Sequence, residues 1–152
     1  MIKKLRRFLI DYYLGERLIK YLNRTHYCHG DRQRLHLGKS VSAVNTLFNL
    51  SSGHIFVGNN TIFGHNVMIL TGKHRFLKGK REKLITGKPD APSDGYDIKI
   101  GEGCWIASGV IIVGGINIGD NTIIGAGSVV TKDIPSGVFA AGVPCKVINK
   151  LS

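Results

Sequence analysis

The chain has 152 residues, 43% of them hydrophobic, which suffices for one domain with a sizeable core but argues against two. Its 20 glycines show no three-residue period and are accompanied by only 4 prolines, so a turn-rich β structure explains them better than collagen or disorder. With 21 Lys and Arg against 10 Asp and Glu, the formal charge of +11 favours a phosphate-bearing ligand, a nucleic acid or an anionic membrane surface as partner.

Residues 1–24 carry an amphipathic pattern, with apolar residues at roughly helical spacing between lysines and arginines. The pattern predicts a helix that caps the open end of the following domain, docks on a membrane surface, or does both. Asp11, Glu16 and Arg17 interrupt the apolar run that a signal peptide requires, and no stretch is long enough to span a bilayer. Three cysteines without C-x-x-C spacing also fit a reducing compartment. We therefore expect a cytoplasmic protein, with peripheral attachment to the inner face of the membrane as the open alternative.

A six-residue repeat dominates the second half of the chain. The repeated aliphatic positions are Ile100, Ile106, Ile112, Ile118, Ile124 and Val130. Four places after the first five of them come mostly compact side chains that suit a second inward position in each short strand, namely Cys104, Val110, Ile116, Thr122 and Ser128. The same frame appears earlier, over residues 57–69. Three hexads close a triangular coil, and stacked coils bury their aliphatic residues along one axis, so the repeat predicts a parallel β-helix.

The repeat is interrupted between Lys73 and Asp97. This segment is rich in lysine and arginine and contains Pro89 and Pro92, which makes it too polar and too often broken by proline for a buried strand. We expect residues 73–97 to form a loop extruded from the coil.

Three stretches carry a resemblance to a known family: GCWIAS at 103–108, IGAGSVVTKDIP at 124–135 and AAGVPCKVI at 140–148. With the hexads and the interruption, they resemble the hexapeptide-repeat acyltransferases over about residues 35–150. The likeness is greatest to sugar O-acetyltransferases, including galactoside and maltose acetyltransferases and enzymes of capsule, exopolysaccharide and lipopolysaccharide assembly. The resemblance implies an all-β fold, namely a left-handed parallel β-helix over residues 25–152. The short amphipathic helix at 1–24 precedes it, and the loop at 73–97 is extruded from it.

The chemistry of such an enzyme needs a base, because a sugar hydroxyl loses its proton only far above neutral pH. Histidine is the natural candidate. His74 lies where the repeat stops and matches the family's catalytic histidine by position, although the usual T-G-H-P reads T-G-K-H here. His65 is the alternative base, or a group that contacts the acceptor. Asn45 and Asn49 match the region where the family orients the base or binds sugar hydroxyls, and that region contains no aspartate.

The resemblance also implies a binding groove for acetyl-coenzyme A. A tryptophan lines the thiol end, small residues and backbone contact the pantetheine arm, and lysines attract the phosphates. From the thiol end to the nucleotide end, the matching positions are Trp105, Ser108, Ala126, Thr131, Lys132 and Lys146.

The family's usual assembly is a homotrimer with active sites between subunits, and we expect the same here, with a saccharide acceptor as partner. No metal is required, since His26, Cys28 and His29 are too close in sequence for a zinc site and lack a fourth ligand. Nucleic-acid binding is not expected because no recognition motif or aromatic platform accompanies the basic residues. Three alternatives stay open: an N-acyltransferase for amino-sugar nucleotides, the zinc carbonic anhydrase class that shares this fold, and a non-catalytic binding module.

Overall fold

A computed structural model describes residues 26–151, together with Leu5, Ile10 and residues 12–15. These N-terminal residues are helical, and the rest of the predicted helix over 1–24 lies outside the described residues. Within the described part of the chain, no helix combines the length and apolar character needed to cross a membrane.

Short strands, most of them two or three residues long, form the body of the protein. In chain order they are β1 (Tyr27–His29), β2 (Leu35–Leu37), β3 (Leu47–Asn49), β4 (Ile55–Val57), β5 (Ile62–Phe63), β6 (Met68–Leu70), β7 (Phe76–Leu77), β8 (Lys80–Arg81), β9 (Ile98–Ile100), β10 (Trp105–Ile106), β11 (Ile111–Val113), β12 (Asn117–Ile118), β13 (Ile123–Ile124), β14 (Val129–Val130), β15 (Val138–Ala141) and β16 (Lys146–Lys150). A 3-10 helix covers Arg32–Arg34, and one short helix, α1, covers Glu82–Thr86.

The strands form three parallel sheets that the chain visits in turn. Sheet A has the order β1-β3-β6-β11-β14, sheet B the order β12-β9-β4-β2, and sheet C the order β16-β15-β13-β10-β5. The last strand, β16, pairs antiparallel with β15, whereas the other pairs within these sheets are parallel. Successive coils therefore stack as the hexad pattern predicts.

The aliphatic positions of the hexads line the core. All six of those from Ile100 to Val130 are buried, with exposed fractions of 0–3%. The second set, from Cys104 to Ser128, is also buried, but each member lies just before a strand, at the corner of the coil. The prediction that these residues lie within strands was wrong because each of the five strands that follow them, β10 to β14, has a single buried position, and the corner supplies the other.

Left-handed backbone conformation shapes the corners between sheets. Glycine fills several of these positions and asparagine fills others, because both tolerate positive φ. Among them are Gly103, Gly109, Gly115 and Gly127, and Asn60, Asn66 and Asn121. This explains the glycine content without any collagen-like repeat.

The interruption is inserted at the corner that joins sheet A to sheet B. Neighbouring coils cross this corner in a few residues, from β3 to β4 and from β11 to β12, whereas the chain between β6 and β9 runs through residues 71–97. We call residues 73–97 the arm. It contains the antiparallel hairpin β7–β8 followed by α1, so the predicted loop has secondary structure of its own. The arm leaves the coil at one edge of sheet A.

Candidate active site

His74 lies at the start of the arm, and its ring contacts a buried carboxylate. Nδ1 of His74 is 3.0 Å from Oδ1 of Asp90. The Asp90 side chain is 4% exposed, whereas that of His74 is 56% exposed. Because an ionised carboxylate only accepts hydrogen bonds, Nδ1 donates, and Nε2 of the neutral ring can accept a proton from a bound molecule. The pair has the geometry of a general base with an orienting acid.

Arg81 holds the Asp90 carboxylate from β8. Its Nε donates to Oδ2 at 2.7 Å and its Nη2 to Oδ1 at 3.1 Å, a bidentate pair. The backbone N–H of Arg75 donates to the Asp90 carbonyl at 2.8 Å, and Nε of Arg75 donates to Oε2 of Glu82 at 2.6 Å. The Arg81 hydrogen bonds hold the pKa of the Asp90 carboxyl well below its usual range, although burial opposes them. Asp90 therefore stays ionised and remains an acceptor for His74.

Asn49 lies beside the turn that leads to His74. Oγ1 of Thr71 donates to the Asn49 carbonyl at 2.8 Å, and the backbone N–H of Ser51 donates to Oδ1 of Asn49 at 2.9 Å. A Cβ atom added to Gly72 would lie 3.0 Å from Nδ2 of Asn49. The side-chain amide thus lies against the backbone two residues before His74.

A cavity of about 340 Å³ opens at the same edge of sheet A. Nζ of Lys73 lies 5.0 Å from the centre of the Tyr96 ring, which gives the cavity a cationic and aromatic wall. Thr131 reaches it from the end of β14. The lining residues are Thr71, Gly72, Lys73, Tyr96, Val113, Gly114 and Thr131. Thr131 and the neighbouring Lys132 therefore lie on the edge that carries the arm.

The opposite edge of sheet A, where sheet C meets it, holds a second group of candidate residues. The backbone N–H of His65 donates to Oγ of Ser108 at 3.1 Å, and that of Gly127 donates to the Ser108 carbonyl at 3.0 Å. His65, Ser108 and Ala126 thus occupy one column along the coil axis, at successive steps of about 4.8 Å. Nδ2 of Asn45 donates to Oδ1 of Asn66 at 2.6 Å on the same edge. Asn45 and Asn49 therefore lie at opposite edges of sheet A within one chain.

Trp105 and Lys146 lie on sheet C, which borders this second edge. Trp105 is 53% exposed on the outer face of sheet C, paired in register with Ile62 and Ile123, so it does not belong to the core. Lys146 begins β16 and pairs with Ala141, whose Cβ lies 2.9 Å from a Cβ added to Gly125. Trp105 thus lies in the same coil as Ser108, three residues before it, whereas Lys146 lies in β16, two strands beyond β13 in sheet C.

The structure divides the candidate residues between the two edges. One edge carries Asn49, His74, Thr131 and Lys132, and the other carries Asn45, His65, Ser108, Ala126 and Lys146, with Trp105 on the adjoining face of sheet C. The strands between the edges are two or three residues long, at about 3.3 Å per residue, so with the corner turns roughly 10–15 Å separates the two groups. The described part of a single chain does not bring them together.

Sequence reasoning missed Asp90 and Arg81. Asp90 follows His74 by sixteen residues across a hairpin and a helix, and no periodic pattern relates them. The available signal was an aspartate between two prolines, Pro89 and Pro92, in a segment rich in lysine and arginine. The absence of an aspartate near Asn45 and Asn49 had left the partner of the base unassigned, and the arm provides that partner.

The arm is expected to loosen in acid. The pKa of Asp90 is lower in the folded arm than the value of about 3.9 for an unfolded chain, so the unfolded state binds more protons as the pH falls. The stabilisation is therefore complete above about pH 4 and is lost as the pH drops towards the folded-state pKa. Amide hydrogen exchange, corrected for intrinsic rates, should show loss of protection of residues 75–90 in acid. Equal protection in acid and at neutral pH would contradict the role of the ion pair.

Comparisons with known proteins agree with the fold. The bacterial transferase hexapeptide family, described as six repeats, matches residues 97–132. The galactoside O-acetyltransferase of Lactococcus lactis subsp. lactis strain IL1403 is 36% identical over 126 residues, covering 83% of this chain and 58% of the relative. The crystal structure of a maltose O-acetyltransferase from Clostridium difficile 630 is 36% identical, with a TM-score of 0.66 over 85% of this chain and 65% of that one. A galactoside acetyltransferase in complex with coenzyme A is 32% identical, with a TM-score of 0.56 over 90% of this chain and 70% of that one.

The chain belongs to the hexapeptide-repeat transferase family, and the predicted left-handed parallel β-helix is confirmed. It spans little more than half the length of the curated galactoside O-acetyltransferase that it matches. Within the described residues, no group of three or more His, Cys, Asp or Glu side chains is arranged to hold a metal ion.

Proposed function

We propose that this protein is an acetyl-coenzyme A-dependent O-acetyltransferase that modifies a hydroxyl group of a saccharide acceptor. The observation that carries the proposal is the His74–Asp90 pair, a half-exposed imidazole held by a buried carboxylate. The names of the relatives support the reaction class, and a family member bound to coenzyme A supports the donor. We place the reaction in the assembly of surface polysaccharides.

In this mechanism, Nε2 of His74 accepts the proton of the acceptor hydroxyl as its oxygen attacks the thioester carbonyl. Asp90 keeps the other ring proton on Nδ1 and stabilises the imidazolium that forms. The tetrahedral intermediate collapses, the C–S bond breaks, and the imidazolium returns the proton to the departing thiolate. A backbone N–H near Ser108 would stabilise the oxyanion, with little reorganisation because the corner is fixed by neighbouring coils.

The column on the second edge suits an extended donor molecule. Trp105, Ser108 and Ala126 present an aromatic ring and then small groups to a chain lying parallel to the coil axis. Lys146 stands at the far end, where the phosphates of coenzyme A would lie. The donor would thus have its thioester near Trp105.

Binding of coenzyme A is the direct test of this groove. Calorimetric titration is expected to show saturable binding to the wild type and weakening of about tenfold or more in Lys146→Ala, because a charge-assisted contact to phosphate is lost. Lys99→Ala, which removes an exposed lysine from sheet B, is the matched control and should bind normally. No binding to the wild type would contradict the proposal.

The separation of the two edges supports active sites made by two subunits. Proton transfer requires His74 to approach the acceptor oxygen to about 3 Å, which a base roughly 10–15 Å from the donor groove of its own chain does not achieve. In a cyclic trimer, the arm edge of one chain would face the groove edge of the next. We therefore propose a homotrimer with three composite sites.

Mixing two inactive variants is expected to restore activity. His74→Ala lacks the base, and Ala126→Trp obstructs the donor groove, so neither homotrimer should turn over. In randomly mixed trimers, about a quarter of the sites would combine an intact His74 with an intact groove, giving about a quarter of wild-type activity. Unfolding and refolding the variants together, then assaying thiol release, provides the measurement. Activity no higher than that of the separate variants would contradict composite sites.

A further inference from the structure

The tip of the arm exposes apolar and cationic side chains together. In a single chain, four large apolar residues within residues 76–85 are exposed, on both faces of the β7–β8 hairpin and on α1, and four exposed lysines lie among and after them. The apolar residues, with their exposed fractions, are Phe76 (67%), Leu77 (42%), Leu84 (75%) and Ile85 (44%). The lysines are Lys78, Lys80, Lys83 and Lys88. We call these eight residues the arm surface.

The acidic residues of the arm leave this surface positively charged. Glu82 pairs with Arg75, Asp90 with Arg81, and Asp94 with an arginine near β2, Arg34, at 3.4 Å. Each of these three acids is engaged by an arginine, and the fourth acid of the arm, Asp97, accepts a hydrogen bond from the backbone N–H of His54 at 2.8 Å. None of the four lysines makes an ion pair with any residue that the structure describes.

We propose that the arm surface docks on an anionic lipid bilayer. Apolar side chains at the level of the headgroups bury their surface, while lysines beside them are attracted to anionic lipids, and a surface with both properties suits this interface. A soluble polyanion would satisfy the lysines but would leave Leu84 and Ile85 in water. Charge and apolar exposure together therefore favour a bilayer.

Two hydrogen-bonded contacts connect the hairpin of the arm to the candidate base. Arg81, on the hairpin, holds Asp90, and Asp90 holds His74. Docking thus places His74 close to the headgroup layer, where a lipid-linked saccharide presents its hydroxyl groups. This assignment of the acceptor rests on the proposed function, whereas the docking itself does not.

Co-sedimentation with vesicles tests docking without any assay of activity. The wild type is expected to bind phosphatidylcholine vesicles that contain phosphatidylglycerol, and to bind pure phosphatidylcholine weakly. Leu84→Ser with Ile85→Ser, and separately Lys83→Gln with Lys88→Gln, should each lower the partition coefficient by about tenfold or more. The control Lys39→Gln with Lys99→Gln removes the same charge from the turn after β2 and from β9, and should bind like the wild type.

Three results would overturn the proposal. The first is failure of the wild type to bind the anionic vesicles. The second is binding of the arm variants equal to that of the wild type, which would locate attachment elsewhere, such as residues 1–24. The third is a smaller assembly mass of the arm variants in light scattering, which would make the arm surface an interface between copies of this chain. An unchanged mass with weakened vesicle binding is the expected result.

Discussion

Replacing His74 with alanine is expected to lower kcat by about 10²- to 10⁴-fold, the usual contribution of a general base. The affinity for coenzyme A should change little, because in the proposed mechanism His74 contacts the acceptor hydroxyl rather than the coenzyme. Steady-state assays of thiol release, together with calorimetric titration of coenzyme A, measure the two quantities separately.

His65→Ala is the matched comparison for His74→Ala. Both histidines are exposed, but His65 lies at a corner with its backbone bonded to Ser108 and has no carboxylate partner within the described residues. We expect its turnover to stay within a few-fold of the wild type. Near-normal turnover by His74→Ala with severe loss in His65→Ala would reverse the assignment of the base.

Replacing Asp90 with asparagine is expected to lower kcat by about 10²- to 10⁴-fold, with a much smaller effect on KM for the acceptor. An asparagine amide can donate to Nδ1, which would favour the tautomer that carries its proton on Nε2, where the base must be free. The variant keeps the shape of the side chain, so packing of the arm is disturbed little. Wild-type turnover by Asp90→Asn would show that the carboxylate does not orient the base.

Arg81 offers a graded control for the same pair. Arg81→Lys keeps the charge but loses the bidentate contact with Asp90, so we expect a smaller loss of kcat than in Asp90→Asn. Arg81→Ala leaves a buried carboxylate without its main partner and should also release the arm, which hydrogen exchange would detect. If Arg81 acts by positioning Asp90, kcat falls less in Arg81→Lys than in Asp90→Asn, and the affinity for coenzyme A stays unchanged in both variants.

The core could be predicted from the sequence because the hexad repeats one local arrangement along one axis. Each position from Ile100 to Val130 has the same neighbours in the coils above and below, so a period in the sequence becomes a column in the structure. Ser108 and Ala126 share a column for the same reason. The placement of the second inward residue at the corner was missed because periodicity alone does not reveal how few residues each strand contains.

The arm could not be predicted in the same way. Its contacts join residues at irregular separations, as between Arg81 and Asp90 or between Arg75 and Glu82, and they depend on a hairpin of only two residues in each strand. Because the arm contains no repeat, its sequence does not indicate which of its residues lie opposite one another. The division of the candidate residues between two edges also required the order of the sheets, which shows where the interruption enters the coil.

The position of the acetyl group in the product tests whether the protein transfers acetyl groups to hydroxyl oxygen. An amino sugar that carries both hydroxyl and amino groups would be incubated with the protein and acetyl-coenzyme A labelled with carbon-13 at the carbonyl. Nuclear magnetic resonance would then distinguish an ester carbonyl, which hydroxylamine removes, from an amide carbonyl, which it leaves. We expect a labelled ester that forms with the wild type and not with His74→Ala. A labelled amide, or an ester formed equally by the variant, would contradict O-acetyl transfer with His74 as the base.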